Sequence, residues 1–244
     1  MKAMMAGLAL GMAVFGTAAH AEPIHIESAA MVLDNLPGFN DDRVSVLANS
    51  ADMLQLSLLE MINRNSRGGV GWSAFDDQGT FQETVSNYAS GYQLSTRDGF
   101  QISQITLDLT FSGQLQQAES PIDPPGQALN YTQEGMQLTN AGTVVQSDGR
   151  RLDNLNGTQQ ITLTFRDLSW TDTVGLQLQS QVWMGAQGIP PNGILPGLPS
   201  FASMNLTGAT LTIHTAVSAV PEPATYGMLL GGLALLGVAA RRRC

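Results

Sequence analysis

The sequence predicts an all-β protein, an antiparallel β-sandwich with a jelly roll among its expected forms. Three observations carry that reading. The middle of the chain alternates apolar and polar residues with period two, as in Ile105-Thr106-Leu107-Asp108-Leu109-Thr110-Phe111 and Ile161-Thr162-Leu163-Thr164-Phe165. Successive strand side chains point to opposite faces, so such runs bury one face and wet the other, the habit of antiparallel sheets. Turn-forming pairs separate the runs: Asp98-Gly99, Ser112-Gly113, Asp148-Gly149, Asn156-Gly157 and Asp172-Thr173. Cys244 is the only cysteine among 244 residues, so the fold must be held by its core rather than by an internal disulfide.

Taken from the N-terminus, Lys2 and the apolar stretch 3–15 precede the small-x-small triplet Ala19-His20-Ala21. That is the form of a secretory signal peptide, with cleavage expected after Ala21. Residues 22–214 are read as the sandwich body. Within it, residues 50–63 fit two patterns. Leu54, Leu56 and Leu58 alternate as in a strand, while Leu54, Leu58, Met61 and Ile62 share a helical face that Asn49 or Ser50 could cap. The β character of the rest of the body favours strand. Further strands are expected at 105–111, 161–165, 176–182 and 209–214. Proline-rich loops are expected at 117–128 and 185–200, the second folding its apolar Ile189, Ile194 and Leu195 back over one end of the core. Residues 215–220 form a linker.

The C-terminus, 221–244, has three parts. In Val220-Pro221-Glu222-Pro223-Ala224 the two prolines fix φ and cannot join a helix or a ladder, so the motif stays extended and accessible. The apolar run 224–240 is read as one transmembrane helix. At about 25 Å it is slightly shorter than the ~30 Å hydrocarbon core, and it spans with local thinning. Gly227 and Gly231 make a G-x-x-x-G pair suited to close helix packing, though small residues are common in any such helix. Arg241, Arg242 and Arg243 form a membrane stop on the cytoplasmic side.

In order and spacing, this motif, helix and arginine cluster resemble the PEP-CTERM sorting signal of Gram-negative bacteria, a segment also described as an ice-binding protein C-terminal domain. The resemblance covers the last tenth of the chain. It implies export by the general secretion machinery, an inner-membrane intermediate, and recognition of residues 220–224 by an exosortase, a membrane transpeptidase that removes the tail. It further implies a destination at the cell surface or in the extracellular matrix, in association with exopolysaccharide and biofilm. It implies nothing about what the body binds. Ice binding is not inferred, because the body has no repeat array of Thr-x-Thr ladders.

The chain holds 20 acidic and 11 basic residues; Lys2, Glu222 and the three terminal arginines lie outside the body, which is left with net charge −12 and no lysine. Such a surface repels phosphates, so a nucleic-acid partner is not expected. Motifs for nucleophilic, zinc or phosphate chemistry are absent, and no cofactor or metal is expected. His25 and His214 sit in alternating strands and should face solvent. The pairs Asp41-Asp42 and Asp76-Asp77 and the oxygen-rich run 153–157 read as turn residues, with calcium ligation as the alternative. Three N-x-[ST] triplets begin at Asn130, Asn156 and Asn205 and carry little weight.

The aromatic residues divide. Trp170 follows Leu168 at strand spacing and is assigned to the core. Leu176, Leu178 and Val182 define the buried face of the next strand, so Trp183 falls on its polar side with Gln177, Gln179 and Gln181. An indole among amides suits a sugar ring: the ring stacks and the amides bond its hydroxyls. A covering loop or a bulge would place Trp183 in the interior instead. The leading expectation is a non-enzymatic exported surface or matrix protein. Alternatives are a carbohydrate-binding module using the Trp183 face, with an extracellular polysaccharide as partner, and a β-sandwich polysaccharide lyase or hydrolase.

Overall fold

The computed structural model describes residues 24–36, 39, 43–121, 123–193 and 196–218. The signal peptide with Ala19 and Ala21, the sorting motif 220–224, the helix 224–240, the stop 241–243 and the pair Asp41-Asp42 lie outside these residues. Among the described residues, no helix is long and apolar enough to cross a membrane.

Two antiparallel sheets contain all the described strands. The first runs, neighbour to neighbour, through β1 (His25–Glu27), β2 (Met31–Asn35), β6 (Gln82–Thr96), β11 (Thr173–Gln187), β8 (Gln127–Asn140) and β9 (Thr143–Asp153). The second runs through β10 (Gly157–Phe165), β7 (Phe100–Gln116), β12 (Ser200–Val217), β4 (Met53–Leu58) and β3 (Val44–Asn49), with β5 (Trp72–Asp76) paired to the other half of β12. From β6 to β12 the chain changes sheet at every step except the β8–β9 hairpin, the winding from which a jelly roll is built.

The alternation read from the sequence sets the layers. Ile105, Leu107, Leu109 and Phe111 of β7 face Leu176, Leu178, Val182 and Met136 across a single core, and each of these is fully buried. Fully burying one such side chain stabilises the fold by roughly 1.5–3 kcal/mol, which is why one face of each run turns inward. In the second proline-rich segment Ile189 is buried at 5 % exposure and bridged to Leu198, while Ile194 and Leu195 lie outside the described residues. Trp170 is half-buried, packed against the core and bridged to Ile102.

Several expectations need correction. The segment 50–63 is neither one strand nor one helix: β4 ends at Leu58 and α1 spans Leu59–Ser66. Leu54, Leu56 and Leu58 bury their strand face, and Met61 then buries the helical one, so both patterns are real in succession. Neither Asn49 nor Ser50 caps α1; the Ser50 hydroxyl instead donates to Asp52 at 2.6 Å. Gly113 and Gly149 lie inside β7 and β9 rather than in turns. A Cβ on Gly113 would lie 2.6 Å from the Leu155 carbonyl, so close backbone approach explains that glycine. β12 continues through Val217, three residues into the stretch read as linker.

Candidate functional site

β11 keeps unbroken register from Gly175 to Ala186 against both β6 and β8. With no bulge to reverse it, Gln177, Gln179, Gln181 and Trp183 stand together on the outer face of the first sheet, while Leu176, Leu178 and Val182 are buried. The side chains around Trp183 come from strands far away in sequence. Tyr131 of β8 is its cross-strand neighbour, with ring centroids 5.3 Å apart and planes 16° apart. Phe81, just before β6, stacks from the other side at 6.1 Å and 25°. The Arg151 guanidinium of β9 lies 3.9 Å over the Tyr131 ring and is held by Asp153 at 2.8 Å. The result is one stack, Arg151–Tyr131–Trp183–Phe81, drawn from three strands and the residue that precedes β6.

Two details fix this stack. The indole N–H donates to a Glu83 oxygen at 3.2 Å. Gly185 leaves the room it needs, since a Cβ there would lie 2.4 Å from Phe81 and 2.6 Å from Trp183. Trp183 is therefore not a free platform: both its faces meet neighbouring rings, and it turns its edge outward as part of a ridge. Offset stacking of this kind contributes about 0.5–1.5 kcal/mol per pair.

Beside the ridge the sheet surface drops. The next rows inward are Asn87–Gln181–Gln133–Arg151 and then Ala89–Gln179–Gly135–Gly149. The second row carries only a methyl and two glycines apart from Gln179, so its floor is low. The depression holds about 310 Å³ and is lined by residues 87–89 of β6, 133–135 of β8 and 179–181 of β11, of which the middle residue on each strand is buried. Its far side rises again where Phe39 lies on Gly91, whose Cβ would sit 2.5 Å from that ring. From the Trp183 row to the Gly91 row is about 20 Å at ~3.4 Å per residue. The trough itself crosses three strands, β6, β11 and β8, roughly 10 Å at ~4.8 Å per strand.

The amides of the trough fall into two sets. The Tyr131 hydroxyl donates to Gln181 Oε1 at 3.1 Å, and Gln181 Nε2 donates to Asn87 Oδ1 at 3.0 Å, so this row is held in place. Gln133, Gln177 and Gln179 make no hydrogen bond to another described residue and keep their donors and acceptors for solvent or a ligand.

Directly under the trough, on the inner face of β8, lies Glu134 at 1 % exposure. Its Oε1 accepts from the Ser180 hydroxyl at 2.8 Å and from the Thr132 hydroxyl, and Ser180 in turn accepts from Asn65 of α1 at 2.7 Å. Its Oε2 has no hydrogen-bond partner. Burial pushes the carboxyl up to about 7, against the lowering effect of the two hydroxyls. Sequence reasoning did not find this group, although Thr132, Glu134, Met136 and Leu138 share one period-two face with an apolar end.

The remaining expectations are placed as follows. His25 is exposed, 2.6 Å from Asp34 and 3.1 Å from Glu27; hydrogen bonds to Asp34 and then Glu27 raise its pKa. His214 is half-exposed beside an open hollow that also touches Asp52, Gln104, Arg166 and Asp167. Asp76, expected in a turn, is instead buried at the end of β5, where it accepts from Gly188 N–H at 2.8 Å and Thr80 at 2.9 Å. Asn130 is buried and donates to two carbonyls, Leu155 and Ser203, each at 2.9 Å, so it cannot be a sugar acceptor. Among the described residues, no group of three or more His, Cys, Asp and Glu is placed to hold a metal ion.

Comparison with known proteins adds one firm identification. Residues 219–243 match the PEP-CTERM protein-sorting motif. That match implies export and membrane-associated processing in a Gram-negative bacterium. No curated protein matches the chain. Among solved structures, the enzymatically active domain of bacteriophage CBA120 tailspike protein 4 is 9 % identical, aligning 55 % of this chain with 18 % of its own, at a TM-score of 0.19. The galactotriose complex of TmCBM61 is 6 % identical, aligning 64 % of this chain with 96 % of its own, at 0.19. The infectious bursal disease virus Gx strain structure is 10 % identical, aligning 85 % with 55 %, at 0.26. Likenesses at this level carry no functional argument.

Proposed function

We propose that this exported chain is a non-enzymatic glycan-binding protein, processed by an exosortase at residues 220–224, whose body holds an extracellular polysaccharide on the outer face of its first sheet. The observation that carries the reading is the trough: a low floor at Ala89 and Gly135, unbonded amides at Gln133 and Gln179 with Gln177 in the adjoining row, and an aromatic ridge along one side. Sugars present hydroxyls around the ring and C–H on its faces, so they suit amides beside aromatic edges. Gln181 and Asn87 are already ordered, which lowers the entropy lost on binding.

The non-enzymatic part rests on what faces the trough. Its nearest carboxyl, Glu134, is sealed on the far side of the sheet, so no acid and base pair flanks a bound glycosidic bond. The export part rests on the sorting motif. Two experiments test the reading. Affinity electrophoresis of the protein in mild detergent through polysaccharide gels should show retention, and Trp183→Ala, which removes the middle of the ridge beside the trough, should weaken it by about tenfold, ~1.4 kcal/mol. Equal retention of wild type and variant argues against the ridge. Replacing Pro221, Glu222 and Pro223 by alanine should leave the chain in the inner membrane with its tail intact; normal processing of that variant argues against the sorting role.

A further inference from the structure

The trough's charge content narrows the ligand class. Its outward-pointing side chains, Asn87, Ala89, Gln133, Gln179 and Gln181, are uncharged; the one charged residue of the lining, Glu134, is buried on the inner side of β8 at 1 % exposure. The neighbouring row toward Phe39 is Gly91, Gln177, Gln137 and Ser147, again uncharged. Charged groups stand only at the margins. Glu83 is an acceptor for the Trp183 N–H at 3.2 Å. The one cation of the ridge, Arg151, has its guanidinium on the Tyr131 ring and an Asp153 oxygen at 2.8 Å. Its Nε and Nη2 both lie 2.8 Å from that one oxygen, so its charge is already paired with a carboxylate.

A site for uronate or sulfate groups needs free cations, because a carboxylate leaving water must recover its hydration energy from charge-assisted donors. Here there are none over the floor, and the field of the whole body opposes an anion: residues 22–219 carry net −12 and no lysine. Amides, by contrast, each offer a donor pair and an acceptor, the complement of a hydroxyl that does both. We infer that the trough takes a neutral polysaccharide, one whose sugars bear hydroxyls without carboxylate or sulfate, and that Gln179 is its central contact. Gln179 rises alone from the low row between Ala89 and Gly135, and its amide has no other described partner. This inference rests on the glycan reading of the same site.

The test separates the two. The protein in mild detergent is run through gels containing neutral polymers (a β-1,4-glucan, a mannan, a dextran) and through gels containing alginate or polygalacturonate, each at low and high salt. Retention is expected with at least one neutral polymer, unchanged by salt, since no ion pairs are involved. Polyuronates are expected to bind at least about tenfold more weakly, and Gln179→Ala to weaken neutral binding by about tenfold, equal to ~1.4 kcal/mol. Stronger, salt-sensitive binding to the polyuronates that Gln179→Ala and Trp183→Ala both reduce would overturn the neutral-ligand inference while leaving the glycan reading intact. Absence of retention by any polymer, or retention that neither variant alters, would remove the glycan reading and this inference with it.

Discussion

The two outer faces of the sandwich are built on the same strand alternation and come out opposite in character. On the second sheet, the rows Thr164–Thr106–Thr212–Gln55 and Thr162–Asp108–Thr210–Ser57 cross four strands. Their side chains are mostly short, and several are bonded on the face: Thr162 to Asp108 at 2.6 Å, Gln55 to Thr212 at 3.3 Å, Gln104 to Thr106 at 3.0 Å. On the first sheet the corresponding rows rise to a ring stack, fall to glycines, and leave three glutamines unbonded. The second face is level, with no ridge or hollow to surround a ligand, and where its polar groups already pair a new hydrogen bond replaces an old one. Alternation thus decides which residues point out. Side-chain size and cross-strand partners decide whether the outward face can hold anything.

The largest effect should come from crossing from outside to inside on one strand. Leu107→Asp places an unpaired charge in the core and should unfold the protein, a loss of more than about 4 kcal/mol. Thr162→Ala, on the outward side of the paired strand, should cost no more than about 1 kcal/mol. Urea unfolding curves of the two variants measure the difference, and similar midpoints would contradict the layer assignment.

Next in size is the carboxyl beneath the first sheet. Burial raises Glu134 from 4.5 to about 7, so the folded state keeps its proton longer than the unfolded state does. Between those values the unfolded state binds fewer protons, and stability must fall as pH rises. The accumulated loss by pH 8 is up to about 3 kcal/mol. Glu134→Gln should abolish this fall and make the protein more stable than wild type at pH 8. Thermal melts from pH 4.5 to 8 in which wild type and variant run parallel would rule out the shift.

The smallest effect compares the two outer faces directly. Trp183→Ala breaks two ring contacts and should cost about 1–2 kcal/mol. Thr210→Ala on the flat face should stay within about 0.5 kcal/mol. A cost of several kcal/mol at Trp183 would make it a core residue rather than a surface ridge.

Much of the fold was legible in the sequence, and the reason is local. Period-two runs such as 105–111 report their own burial, and the outward side of Trp183 followed from Leu176, Leu178 and Val182 alone. The rest depends on register, which no single strand encodes. Tyr131, Phe81 and Arg151 reach Trp183 only because β11 pairs β6 and β8 in one alignment. Gly185, expected at the start of a loop, lies inside β11 and makes room for the rings, and Gly135, which carries no signal of its own, forms the floor. The turn readings at Gly113 and Gly149 failed for the same reason: a glycine signals a turn or a close approach, and only the partner strand tells which.

The central claim is that the trough, not the flat threonine face, holds the ligand, and a paired blocking experiment tests it most directly. A Cβ on Gly135 would meet nothing nearer than Gln179 Cβ at 3.9 Å, so Gly135→Leu fits the strand while its side chain fills the trough. Thr210→Leu adds similar bulk to the opposite face. With both variants shown to melt near wild type, dissociation constants for a retained polysaccharide should rise at least about tenfold for Gly135→Leu, a change of ~1.4 kcal/mol, and stay unchanged for Thr210→Leu. Unchanged binding by Gly135→Leu, or a loss confined to Thr210→Leu, would contradict the account.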